Sequence, residues 1–124
     1  MASKHTVKVG RVYDGRAWGD GSRVLVDRLW PRGLAKAEAD LDEWCKQVAP
    51  STTLRAWYGH DPERFIEFAQ RYRAELGDLE HAEALDHLGS LATRRNLTLL
   101  TATKYIDISH ATVLVNLLAS DDRR

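Results

Sequence analysis

The spacing of apolar and polar positions changes several times along the chain, and each change marks an element. "HTVKVGRVYD" (5–14) alternates apolar and polar and is rich in β-branched residues, so a first strand is expected near residues 6–12. The three glycines of "GRAWGDG" (15–21) predict a loop. "RVLVDRLW" (23–30) opens on an unbroken aliphatic run, the pattern of a strand buried on both faces, as parallel strands are. "LTLLTA" (97–102) is a third candidate strand. Between the second and third strands the spacing becomes helical. In "AEADLDEWCKQVA" (37–49), Leu41, Trp44, Cys45 and Val48 fall on one face. Ser51 is an N-cap for a short helix ending at Gly59. Asp61 caps a longer one, with Pro62 at its first position and Gly77 after its end, whose buried stripe is Phe65, Phe68, Ala69, Tyr72 and Leu76. A further helix places Leu79, Ala82, Leu85, Leu88 and Leu91 inward, with Arg94 and Arg95 near its negative end. Ser109 caps a last apolar helix, "HATVLVNLLA".

Strands with helices between them argue an α/β layered fold with a small, largely parallel sheet flanked by helices. Residues 14–21 are short for a parallel crossover, so a hairpin between the first two strands competes with the parallel arrangement. No repeat, linker or low-complexity segment divides the chain, and a single domain over 1–124 is expected, with a frayed tail at 121–124.

Composition narrows the class further. Eighteen basic residues balance eighteen acidic ones among 124, so no global attraction to nucleic acid or anionic membrane is expected. The single cysteine, Cys45, excludes an intrachain disulfide and suits a reducing compartment. The start, "MASKHTVKVG", has no signal-peptide apolar core, and no apolar run approaches the roughly 20 residues that span a bilayer. A soluble cytoplasmic protein is the expectation.

In open α/β sheets, ligands sit beyond the carboxyl ends of the strands. There the sequence places Arg11, Tyr13 and Asp14 after the first strand, and Asp27, Arg28, Trp30 and Arg32 after the second. Thr101, Thr103 and Lys104 follow the third, ahead of the helix start at Ser109-His110. Cations, an aromatic plate and free N–H groups at a helix start make an anion pocket. In "DRLWPRG", Pro31 and Gly33 turn the chain and so aim Trp30 and Arg32. The competing account pairs Asp27 with Arg28 or Arg23 and buries Trp30 in the core. "RAWYGHDPERF" (55–65) adds Arg55, Trp57, Tyr58 and His60 at a helix–turn–helix joint. His60 is a candidate proton carrier or simply a packed or solvated turn histidine, and Arg64 is a solvated helix residue. Ser109 beside His110 invites a nucleophile–base reading, but adjacent residues at a helix start do not face each other, and capping accounts for Ser109 better. His81 and His87, six apart on a predicted helix, do not share a face, so no metal site is expected. The glycines of a phosphate loop are missing, and no cofactor is implied.

The strings "RVLVDRLWPRGL", "APSTTLRAWYGHDPERFIEFAQRYRAEL" and "LTLLTATK…HATVL", with "VGRVYD", span nearly the whole chain. On these the sequence resembles the small YeaO-like family, one of the bacterial domain-of-unknown-function families. The resemblance implies a compact α/β domain of Rossmann-like character and favours a parallel crossover over the hairpin, because longer relatives carry a helix between the first two strands. It brings no established reaction. Relatives carry an acid- and histidine-rich segment after the third strand; "KYIDISHA" keeps Asp107 and His110 but has Ile108 where another histidine is expected. Longer relatives have Cys-His in place of Ser109-His110, so their cysteine chemistry does not transfer. Cys45, on an apolar helix face, is no substitute.

Three functional readings follow. In the first, the domain binds, with or without chemistry, a phosphate- or carboxylate-bearing small molecule such as a nucleotide. Arg11, Tyr13, Arg28, Arg32, Lys104 and Ser109 then form the binding set, Trp30 or Trp57 stacks on a flat group, and Asp27, His60 or His110 handles protons. In the second it is a single-stranded nucleic-acid module, with Trp18, Trp30 and Trp57 interleaved with arginines, although neutral net charge counts against this. In the third it is a scaffold or partner-binding domain whose Arg/Trp/Asp set is a buried polar network.

Overall fold

The computed structural model describes residues 5–121. Strands β1 (Val7–Arg11), β2 (Ser22–Leu25), β3 (Glu43–Trp44) and β4 (Leu97–Thr101) form one sheet in the order β1-β4-β2-β3. Every pairing is parallel, with Val7 and Ser22 both in register with Leu97. The hairpin alternative is excluded. The chain passes from β1 to β2 over β4, which lies between them, and it does so through turns rather than a helix. Helices α1 (Lys36–Ala39), α2 (Thr52–Tyr58), α3 (Phe65–Glu75), α4 (Leu79–Arg94) and α5 (His110–Asp121) complete the α/β domain. Of the tail expected to fray, residues 122–124 lie outside the described residues, and Asp121 is the last residue of α5.

Alternation along the strands builds two apolar layers. Val24, Val26, Leu97 and Leu99 face one way and pack with Val48, Leu54, Tyr58, Phe68, Tyr72, Leu88 and Leu114. Leu25 and Leu100 face the other way, with Val12 and Ala39, under Trp30, Leu34, Leu41 and Trp44. The caps expected at Ser51 and Asp61 are present, and Asp78 is a further one that caps α4. Ser51 accepts from the Leu54 N–H, Asp61 from Glu63 and Asp78 from His81, and Gly59 ends α2 in the left-handed region at φ 54°. Pro62–Arg64 forms a 3-10 turn leading into α3, whose buried residues include Phe68, Ala69 and Tyr72.

Two expectations need correction. The helix expected over 37–49 stops at Ala39, with Asp40 left-handed at φ 49°. The chain then pairs with β2 as β3 and makes a 3-10 turn at Lys46–Val48. The cause is Arg23, which is fully buried in β2. Its guanidinium draws the carbonyls of Ala39 and Asp40 (3.2 and 2.9 Å), and its backbone N–H donates to the Asp42 carboxylate at 2.8 Å. These long-range bonds outweigh the local helical pattern. The second is Leu79, expected in the buried stripe of α4. It is 75% exposed at the first helical position, while His81 is buried.

Candidate functional site

Beyond the carboxyl ends of β2 and β4 the structure opens a cavity of about 360 Å³. One wall is Asp27–Pro31 and another is the Ala49–Pro50 corner with Arg55, Tyr58 and His60; the floor comes from Thr101–Thr103 and the start of α5 at Ser109-His110. This is the volume of a small-ligand pocket, at the lower end of the usual range.

Asp27 closes the end of the sheet. Its Oδ1 accepts from the Thr101 hydroxyl at 2.7 Å and its Oδ2 from the Ala102 N–H at 2.8 Å. It pairs with neither Arg28 nor Arg23. His110 Nε2 lies 2.9 Å from the Val26 carbonyl and 3.4 Å from Asp27 Oδ1. A carbonyl only accepts, so Nε2 carries the proton. Burial pushes the His110 imidazole below its ordinary value; the Asp27 charge and the Val26 carbonyl oppose this, and Arg55 and His60 add to it. Ser109 donates its hydroxyl to the Ile106 carbonyl at 2.7 Å and accepts from the Thr112 N–H. It is a helix cap, and its proton is committed to the Ile106 carbonyl.

The arginines divide into distinct roles. Arg28 donates from Nε to the Pro50 carbonyl (3.1 Å) and from Nη2 to the Ala49 carbonyl (3.0 Å). Among the described residues no carboxylate pairs with it, and Nη1 has no partner. Arg55 lines the same cavity, also without a carboxylate partner among the described residues. Arg32 is exposed and lies outside the lining; its carbonyl accepts from the Tyr13 hydroxyl at 3.3 Å. Arg11 stacks over the Tyr13 ring at 5.1 Å and donates to the Ala102 carbonyl at 3.4 Å, again outside the lining. Lys104, exposed, sits over Tyr105. The buried polar network is built on Arg23, which donates to Asp20 Oδ2 and to the carbonyls of Asp14, Gly15, Ala39 and Asp40, and not on Arg28 or Arg32.

Two of the aromatic candidates, Trp30 and Trp57, are already engaged. Trp30 lines the cavity, donates to the Leu34 carbonyl at 2.7 Å and meets Trp44 edge-on at 5.3 Å. Trp57 lies outside the cavity, with the Arg64 and Arg71 guanidiniums 5.2 and 4.4 Å from its ring centre. Trp18 is fully exposed.

The cavity therefore gathers Asp27, Arg28, Trp30, His60, Ser109 and His110, and leaves out Arg11, Tyr13, Arg32, Trp57 and Lys104. Sequence reasoning underrated Arg55. It stands three residues before the buried Tyr58, and that spacing places the two side by side on α2. His60 takes φ 57°, directly after left-handed Gly59. Cys45 is buried in the core rather than at the cavity, and burial raises its thiol to about 11. Among the described residues no group of three His, Cys, Asp or Glu side chains is arranged to hold a metal ion, and no helix is long and apolar enough to cross a membrane.

Comparison with known proteins places this architecture. Residues 6–124 match the family described as "Inactive DUF488-N3 subclade", DUF488-N3i. The uncharacterised proteins Rv3073c of Mycobacterium tuberculosis (strain H37Rv) and Mb3100c of Mycobacterium bovis are each 49% identical over 118 residues, covering 95% of this chain and 98% of theirs. The uncharacterised protein YeaO of Escherichia coli K12 is 40% identical over 114 residues, covering 92% of this chain and 97% of its own. No solved structure matches. The chain belongs to the DUF488-N3i family, the inactive DUF488-N3 subclade, and is a homologue of YeaO.

Proposed function

We propose that the domain binds a phosphate- or carboxylate-bearing small molecule, such as a nucleotide, in the cavity at the carboxyl edge of the sheet, without covalent catalysis. The observation that carries this reading is the pair Arg28 and Arg55. Both guanidiniums line one cavity, and neither has a carboxylate partner among the described residues. Arg28 is half-buried with only two carbonyl acceptors and Arg55 is exposed, so both keep N–H groups to offer, and a ligand anion supplies the acid that neither has in the protein. The one carboxylate in the lining, Asp27, has each oxygen taken by a donor of β4 or the residue after it. Two features favour binding over turnover: the Ser109 hydroxyl is spent on its cap, and the family's description carries the word "inactive".

The nucleic-acid reading draws less support. Stacking on successive bases needs several free aromatic faces, whereas two guanidiniums already lie against Trp57, Trp30 is wedged against Trp44, and of the three tryptophans of that reading only Trp18 is fully exposed. The scaffold reading is met by the Arg23 network, which leaves Arg28 and Arg55 unexplained.

Thermal-shift measurements with a panel of nucleotides and sugar phosphates test the proposal. Stabilisation by at least one anion, abolished in Arg28→Ala and Arg55→Ala and retained in Arg32→Ala, is expected. No shift with any member overturns it, as does an undiminished shift in both cavity variants. Salt-sensitive retention of single-stranded oligonucleotides with no response to mononucleotides favours the nucleic-acid module instead.

A further inference from the structure

Arg28 is held in place by the Ala49–Pro50 wall of the cavity. Its two acceptors, the carbonyls of Ala49 and Pro50, belong to buried residues at the corner between the 3-10 turn and α2. The Ala49 carbonyl accepts a second bond, from His81 Nε2 at 2.9 Å. The other ring nitrogen, Nδ1, lies 2.9 and 3.0 Å from the two Asp78 carboxylate oxygens at the start of α4. One residue earlier, the Val48 carbonyl accepts from the Tyr72 hydroxyl at 2.5 Å. Three successive carbonyls are thus tethered by α3, α4 and Arg28 itself. A carbonyl has two acceptor sites, and at Ala49 both are used.

The ring of His81 faces acceptors at both nitrogens. A carbonyl and a carboxylate only accept, so both nitrogens must donate and the ring is an imidazolium. Burial opposes the charged ring, but Asp78 at the start of α4, the Ala49 carbonyl and Glu75 at the end of α3 outweigh it and favour the protonated form. His81 is buried and no part of it lines the cavity.

We propose that His81 is a positioning residue for the anion site: it fixes the Ala49 carbonyl that in turn orients the Arg28 guanidinium. The inference rests on the reading of the cavity as an anion site, but its first consequence needs no ligand. Without the His81 bond the Ala49 carbonyl is free to turn toward Arg28 alone, and the fork of Arg28 shifts with it.

The test uses His81→Leu, which has no donor, and His81→Gln, whose amide N–H reaches where Nε2 stood. The Arg28 Nε–Hε resonance in the ligand-free protein is read by NMR, and the affinity for inorganic phosphate by calorimetry. His81→Leu is expected to move the resonance and weaken phosphate roughly three- to tenfold, the range for one lost charged hydrogen bond acting at second hand. His81→Gln is expected to restore both. In an Arg28→Ala background, His81→Leu is expected to change phosphate affinity no further, which a general loss of stability would not produce. An unmoved Arg28 resonance in His81→Leu overturns the proposal, and so does an undiminished effect of that substitution when Arg28 is absent. If the wild-type protein binds no phosphate, the anion reading loses that support while the resonance still decides the role of His81. Where His81→Leu does not fold, His81→Asn replaces it. Its shorter amide stops short of Ala49, and the same displaced resonance is expected.

Discussion

Arg23 Nη1 lies 2.9 Å from Asp20 Oδ2, with the two side chains only 2% and 5% exposed. This pair joins β2 to the turn that precedes it. Asp20 also accepts from the Ala17 N–H and pairs with Lys8 at 2.9 Å. Removing one member of a buried pair leaves an uncompensated charge, so Asp20→Asn is expected to cost roughly 3 kcal/mol in urea unfolding.

The same pair sets an acid limit. Burial raises the Asp20 carboxyl, but the Ala17 N–H, Lys8 and Arg23 outweigh it and bring it down to about 2 from 3.8. A carboxylate depressed on folding contributes stability that is present above its unfolded value and lost as pH falls through its folded one. A loss of about 2 kcal/mol is therefore expected as the pH drops from about 4 to about 2, by the usual conversion of pKa shift to free energy. Acid titration of stability measures it, and Asp20→Asn is expected to lack that step.

Gly21 cannot be replaced. It has φ +65°, and a Cβ there would lie 2.0 Å from the Asn96 carbonyl oxygen. That oxygen accepts from the Ser22 N–H at 2.8 Å, the bond that starts the β2–β4 register, while the Asn96 side chain holds Thr6 and Gly19. Gly21→Ala is expected to destabilise by on the order of 3 kcal/mol through backbone strain and displacement. Gly15→Ala, where nothing lies within 4 Å, is the matched control and is expected to change stability by less than about 0.5 kcal/mol.

These two regions show where the sequence was readable. Buried strands betray themselves as aliphatic runs, and caps such as Ser51 and Asp61 work within three residues, so both were legible from local pattern. The stretch 37–49 was not. Its apolar spacing is truly helical, but Arg23, far away in sequence, claims the carbonyls at which the helix stops. At the site, Asp27, Arg28, Trp30, His60 and His110 were legible because residues just past a strand or a cap have little room to turn aside. Arg32 lies beyond Pro31, where loop geometry rather than strand direction decides the outcome. Lys104 and Arg11 have long side chains that settle on neighbouring tyrosines instead. Nothing local in the sequence signals that the His81 ring reaches the Ala49 carbonyl, 32 residues away.

His60 pairs backbone strain with a cavity position. A β-carbon in the left-handed region costs on the order of 1 kcal/mol, which persists where the surroundings hold it. His60→Gly is expected to raise stability by about 0.5 kcal/mol, after the greater freedom of the unfolded glycine chain is offset. The same substitution is expected to weaken anion binding, because it removes an imidazole from the lining. Parallel thermal unfolding and ligand titration separate the two effects; a gain in both overturns a binding role for His60.

The two buried histidines pull the pH profile in opposite directions. His81 is raised: burial lowers it, but Asp78, the Ala49 carbonyl and Glu75 outweigh burial. Its contribution is complete below the unfolded value of about 6.5 and is lost as pH rises through the folded one. His110 is lowered, chiefly by burial. Its sign is the reverse: the neutral ring is accommodated fully above about 6.5, and stability falls as pH drops below that value, because the unfolded chain binds the proton more readily. Between the acid step of Asp20 and the titration of the lysines, stability is expected to peak near pH 6.5 and decline on both sides. Urea unfolding at close pH intervals checks this. His81→Gln is expected to flatten the alkaline limb alone and His110→Gln the acid limb alone, because each removes one proton-binding difference and leaves the other in place. A single variant that flattened both limbs would show the histidines titrating as one coupled unit, and the Ala49 corner and the cavity floor would then share one protonation event rather than two.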